Sequence, residues 1–215
     1  SINQKTDYNV VIILMESFAG HYVGALGNKK NITPEFDKLS KEGLLFTRMF
    51  STGSRTNRGM SGTLLSFPAI PRFQSIFKDL SINQEFSSMA NILKQRNYSS
   101  NFIFSGDLKY DNMVGFLSTQ GYEKFYGEEQ YKEDSFSTSW GVSDEELFKR
   151  SLQILSNEQE PFFSTILTIS NHPPYLFPEN SPFDRVEITK NENRLNAFKY
   201  SDWALGNFIS EFKKL

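Results

Sequence analysis

Runs of apolar residues alternate along the chain with segments of helical spacing, and the runs end in polar residues. Asn9-Val10-Val11-Ile12-Ile13-Leu14-Met15 is a continuous aliphatic stretch, the pattern of a strand buried on both faces of a parallel sheet. Leu44-Leu45-Phe46-Thr47-Arg48-Met49-Phe50, Ser99 to Phe104 and Phe162 to Ile169 read as further strands. Between them lie helix signals. Thr33-Pro34-Glu35 offers an N-cap, a first-turn proline and an early acid, with Gly43 as the stop. Met60 to Leu65 continues as a helix, and Met89, Ile92 and Leu93 have helical spacing. Ser143-Asp144-Glu145-Glu146 is a capping box ahead of Leu147, Phe148, Leu152 and Leu155. Leu195, Phe198, Leu205, Ile209 and Phe212 mark the buried face of a long final helix.

This alternation predicts an α/β fold: a doubly wound, mainly parallel sheet with helices on both faces. Ligands of such sheets gather beyond the carboxyl ends of the strands, so the polar residues there become site candidates. They are Glu16, Thr56, Asp107 and His172. Thr56 sits in Ser51-Thr52-Gly53-Ser54-Arg55-Thr56-Asn57-Arg58-Gly59, a hydroxyl-rich turn between a strand and a helix. Such a turn aims free backbone N–H groups at an anion, and Arg55 and Arg58 add positive charge suited to a phosphate or sulfate ester.

Each residue also has a plain structural use. Glu16 can serve a salt bridge, Thr56 an N-cap, and the arginines a solvated surface. Asp107 after Gly106 can form an Asx turn, Asp111 and Asn112 can cap a helix, and His172 can brace the Pro173-Pro174 loop.

Composition narrows the function. With 215 residues, one sizeable domain spanning 1–215 is expected. A net charge of −2 argues against nucleic acid as a partner. The absence of cysteine excludes thiolate nucleophiles and Cys-ligated zinc. The 21 Phe and 9 Tyr residues promise an aromatic core and an aromatic-lined pocket. No run of about 18 apolar residues is present to span a membrane.

Taken together, Met15-Glu16-Ser17, Asn31 to Asp37, Gly53 to Gly59, Ser105-Gly106-Asp107, Asp111-Asn112-Met113 and Thr168 to Tyr175 resemble the alkaline phosphatase/sulfatase superfamily. The chain looks most like the extracellular catalytic domains of lipoteichoic acid synthases. The resemblance implies that Glu16 is a metal ligand and that Thr56 is both ligand and nucleophile, with Asp107 and His172 on the substrate-phosphate side of the pocket. It also implies one divalent ion (Mn or Mg foremost, Zn as the alternative) and a lipid-linked phosphodiester substrate. An upstream membrane anchor and an extracellular or periplasmic location come with it.

The expected reaction moves a phospho-head-group from a membrane lipid to an acceptor hydroxyl through a phospho-threonine. Sulfatase-like hydrolysis and a non-catalytic binding module are the alternatives. The family's Asp-His pair has no counterpart before Leu215, so the chain reads as cut short. This piece alone is expected to be inactive and to self-associate through an open sheet edge. Two departures stand out. The lipoteichoic acid synthases' Phe-Trp-Asn-Arg stretch is answered here by Tyr110, Asp111, Asn112 and Met113, without the tryptophan and arginine. Ser51 to Arg55 keeps the outer residues of the formylglycine motif but places Gly53 at its centre.

Overall fold

The computed structural model describes residues 8–68, 70, 72, 75–78, 85–187 and 192–215. At its centre is a four-stranded sheet ordered β1-β6-β2-β3, in which every neighbouring pair is parallel. The strands are β1 (Val10–Leu14), β2 (Ser99–Phe104), β3 (Lys124–Tyr126) and β6 (Phe162–Leu167). A short antiparallel hairpin, β4 (Ser137–Thr138) with β5 (Gly141–Val142), stands apart from them.

Period-two alternation distributes the strand side chains between two helical layers. Val10, Ile12, Leu14, Phe102, Phe104, Phe163 and Leu167 face α2 (Thr56–Leu65), α3 (Met89–Lys94) and α4 (Met113–Thr119). Val11, Ile13, Ile103, Phe162 and Ile166 face α1 (Pro34–Leu39), α5 (Asp144–Leu155) and α6 (Glu192–Phe212). The expected doubly wound sheet, covered on both faces, is thus what the chain forms.

One strand expectation needs correction. Leu44–Phe50 is not a strand: no strand among the described residues runs beside it. Without a neighbour to complete a ladder, the segment leaves Leu44, Phe46, Met49 and Phe50 between 72% and 91% exposed. β1 packs on both faces as expected, but as an edge strand it is half-buried: among the described residues it pairs only with β6, all six of whose residues are buried.

The helix starts follow the sequence, but their caps do not. Thr33 stands before α1, yet its hydroxyl accepts from Gly24 N–H at 2.9 Å and donates to Asp37 at 3.1 Å. The first amides of α1, those of Glu35 and Phe36, donate instead to the two carboxylate oxygens of Asp202 on α6, each at 2.8 Å. Ser143 precedes α5 without a side-chain cap bond. The neighbouring Asp144, fully buried, accepts the N–H groups of Ile169 and Ser170 and the hydroxyl of Ser201. Burial pushes this carboxyl upward, and those hydrogen bonds pull it back.

Asp202 gives a pH signature. Burial raises its pKa from 3.8 to about 6, against the opposing pull of the two amides. Below about pH 4 both folded and unfolded chains hold this proton. Above the folded pKa the native state carries a buried charge, so stability contributed at low pH is lost as pH rises through that window. Relative to Asp202→Asn, wild-type unfolding free energy should fall by about 3 kcal/mol between pH 4 and pH 7. Urea titrations across that range check it, and a pH-independent difference would contradict the assignment.

Candidate active site

The register of the sheet decides where the site forms. Leu14 pairs with Leu167 and Phe104 pairs with Leu167, so three strands end at one level. The next residues of each chain segment therefore emerge side by side.

Glu16 follows β1 and is fixed by its own N–H, which donates to Thr168 Oγ1 at 2.8 Å. Thr168 N–H in turn donates to Leu14 O at 3.0 Å. Ser17, at φ 51°, turns the chain away and donates its hydroxyl to Glu16 Oε1.

Thr56 is the first residue of α2, and Arg55 is the N-cap. The Thr56 hydroxyl does not cap its own helix; it donates to Glu16 Oε2 at 2.9 Å. Arg55 supplies no side-chain cap either; its carbonyl accepts the N–H groups of Arg58 and Gly59. The turn before α2 is braced internally. Thr52 Oγ1 donates to Arg58 O at 2.7 Å, and the Arg58 stem lies so close to Gly53 that a Cβ there would meet Arg58 Cδ at 2.7 Å.

His172 hangs from the loop after β6. Its Nε2 is 3.6 Å from Glu16 Oε1, and its ring stacks on Trp140 with centroids 4.2 Å apart. Asp107, after β2, is exposed, and its Oδ1 accepts the N–H of Lys109 at 2.8 Å. That is the Asx turn its Gly-Asp setting suggested, with the carboxylate still lining the cavity.

Glu16, Thr56, Asp107 and His172 all line one cavity of about 390 Å³. Arg55 and Arg58 are not among its lining residues. Several neighbours had no sequence signal assigned to them. Trp140 comes from the β4–β5 turn and Glu128 from the single helical turn Glu128–Gln130. Asn57, behind Thr56, is 1% exposed and donates to Asp111 Oδ2 at 2.7 Å, while Lys78 pairs with Asp111 Oδ1 at 2.6 Å. Asp111 is therefore a brace for α2 rather than a cap. Asn112 precedes α4 without a cap bond and donates to Phe77 O. The spacing of Asn57 next to Thr56 was visible, but its partner lies 54 residues away.

A carboxylate and a hydroxyl converge here, a donor pair suited to a hard divalent cation. The described residues assemble no group of three His, Cys, Asp or Glu side chains around it.

A family model described as Sulfatase matches residues 8–215. The chain belongs to the sulfatase family. Among relatives of this sulfatase-family chain, the lipoteichoic acid synthase-like YvgJ of Bacillus subtilis (strain 168) is 25% identical over 210 residues, 95% of this chain and 34% of that protein. A protein in the alkaline phosphatase superfamily from Vibrio parahaemolyticus superposes at a TM-score of 0.87 with 38% identity, covering 96% of this chain and 50% of its own. The C-terminal periplasmic domain of EcEptC from Escherichia coli, solved as a complex with Zn, superposes at 0.70 with 20% identity, covering 96% of this chain and 60% of that one. The expected alkaline phosphatase-like fold and lipoteichoic acid synthase-like kinship are borne out. The chain spans about a third of the length of the curated relatives and about half of the Vibrio chain.

The Asn57–Asp111 brace is open to direct measurement. Asn57→Ala removes a hydrogen bond to a carboxylate whose other side-chain partner among the described residues is Lys78. It should cost about 1.5–3 kcal/mol, read as a lower urea midpoint with an unchanged slope. A midpoint within error of wild type would show that the brace carries no stability.

Proposed function

We propose that this domain transfers a phospho-head-group from a membrane lipid to an acceptor hydroxyl, with Thr56 as the nucleophile. The observation that carries the reading is the 2.9 Å hydrogen bond from Thr56 Oγ1 to Glu16 Oε2 at the head of an uncapped helix. A capping threonine would turn its hydroxyl inward to its own helix; this one is turned out to a carboxylate in a cavity. The kinship with a lipoteichoic acid synthase-like protein supports the same chemistry.

Glu16 and Thr56 would hold one divalent ion, which lowers the pKa of a bound hydroxyl; Mn or Mg suits the oxygen donors, and Zn is the alternative. The remaining work falls to the chain itself. Glu16 holds the Thr56 oxygen at the cavity floor and draws its proton outward. The N-terminal amides of α2 face the anionic phosphoryl oxygens. His172, stacked on Trp140, keeps a ring nitrogen beside the reacting centre, and Asp107 lines the substrate side. In the first step the Thr56 Oγ–P bond forms, the lipid O–P bond breaks, and the proton given up by Thr56 passes to the lipid oxygen. In the second the acceptor O–P bond forms, the Thr56 Oγ–P bond breaks, and the acceptor's proton returns to Thr56 Oγ.

Among the described residues no helix is long and apolar enough to cross a membrane. We place the domain outside the membrane, beside the lipid it uses, on the strength of the family kinship.

Incubation of the full-length protein with Mn²⁺ and phospholipid vesicles, followed by mass spectrometry, should show a head-group phosphate on Thr56. Thr56→Ala should lower turnover on the order of a thousandfold or more while leaving the fold intact by circular dichroism. Full turnover by that variant would overturn the reading. Release of free head-group phosphate without any acceptor product would identify a hydrolase instead.

A further inference from the structure

The cavity that holds Thr56 has an electrostatic polarity that the transfer reaction alone does not require. Among its described lining residues are three carboxylates, Glu16, Asp107 and Glu128, and no lysine or arginine. Glu16 is engaged with Thr56. Asp107 and Glu128 make no ion pair among the described residues, in contrast to the adjacent Asp111, which is paired with Lys78.

The acids share their part of the cavity with aromatic rings. Phe104, Tyr110 and Trp140 all line it, and Tyr110 meets Trp140 edge to face, with centroids 6.3 Å apart at 87°. The indole is held in place. Its Nε1–H donates to Pro173 O at 2.8 Å, and one face is covered by His172 at 4.2 Å.

The arrangement is also built into the backbone. Val142 N–H, from the hairpin that carries Trp140, donates to Ser105 O at 2.9 Å. Glu128 N–H donates to the next carbonyl, Gly106 O, at 3.1 Å. The hairpin and the Glu128 turn therefore dock on consecutive residues of the loop that carries Asp107. Glycine makes this approach feasible. A Cβ at Gly106 would meet Trp140 O at 2.5 Å, and one at Gly141, which is at φ +140°, would meet Ser105 O at 2.4 Å.

Aromatic faces and unpaired carboxylates are the chemistry that binds an ammonium group. Thr56, which lines the same cavity, opens α2, and a helix N-terminus favours a phosphate. We propose that the site selects a zwitterionic head group, with its phosphate at Thr56 and a positively charged amine against Trp140, Tyr110, Asp107 and Glu128. This rests on the transfer reading for the identity of the donor as a lipid, but not for the polarity of the cavity. A neutral glycerol head group would leave both carboxylates facing no charge.

Two measurements separate the claims. In the first, the Thr56→Ala full-length protein is titrated with phosphoethanolamine and with sn-glycerol phosphate, following tryptophan fluorescence and confirming by calorimetry. Phosphoethanolamine should bind about tenfold more tightly, and Glu128→Gln or Trp140→Leu should reduce that ratio about tenfold. Glu128 is exposed, so its amide variant keeps the fold. In the second, the Thr56 adduct is compared in vesicles of phosphatidylethanolamine and phosphatidylglycerol. The ethanolamine adduct should dominate.

Equal or tighter binding of glycerol phosphate, or a ratio unmoved by either variant, overturns the amine assignment even if transfer proceeds. Selective phosphoethanolamine binding with no adduct from any lipid would uphold the cavity's preference and sink the transfer reading. Saturation of the acids by a second Mn²⁺, with loss of the preference, would also overturn the proposal.

Discussion

The parallel pairing of β6 with both β1 and β2 is the constraint on which the rest depends. Because Leu14, Leu167 and Phe104 lie in one row, whatever follows each strand must emerge at the same height. β6 is buried throughout, so neither neighbour can slip by one residue without turning its apolar side chains to the wrong layer. The proximity of Glu16 to Thr168, and of the Asp107 loop to the hairpin with Trp140, follows from that alignment. The chemistry is local, but its geometry is inherited from a row of aliphatic contacts.

Much of this was legible in the chain. Continuous apolar runs ending in Glu16, Asp107 and the Thr168–His172 segment identified the sheet and the end at which polar groups would collect. A strand's period and its end are encoded locally, which is why these positions could be read. Leu44–Phe50 has the same local character and is not a strand, because a ladder also needs a neighbour and composition says nothing about that. The caps failed for a related reason. Thr33 and Ser143 are the residue types that cap helices, yet α1 is capped by Asp202, from the far end of the chain. An aromatic-lined pocket was expected from the abundance of rings, but not which rings would line it. That Trp140 would join His172 depended on a hairpin docking onto Ser105, a contact between segments 37 residues apart (142 less 105).

The site's own pattern is one of separated charges. The first turn of a helix and a carboxylate share Thr56, while further carboxylates and rings line the same cavity. Arg55 and Arg58, the obvious anion-binding side chains in the sequence, lie outside the lining of the cavity. Backbone amides fixed in a helix need not be reorganised as charge shifts during a displacement, which flexible side chains would have to be.

Asp144 gives the loop bearing His172 an unusual dependence. Its carboxylate joins the amides of Ile169 and Ser170 to the hydroxyl of Ser201, a residue of α6 in the layer on one face of the sheet. The imidazole at the strand ends is thereby moored to a helix that does not line the cavity. Inherited variation along α6 can thus be silent for the helix itself and still loosen the imidazole's seat, so tolerance to change in this protein should be mapped by hydrogen-bonded linkage rather than by distance from Thr56.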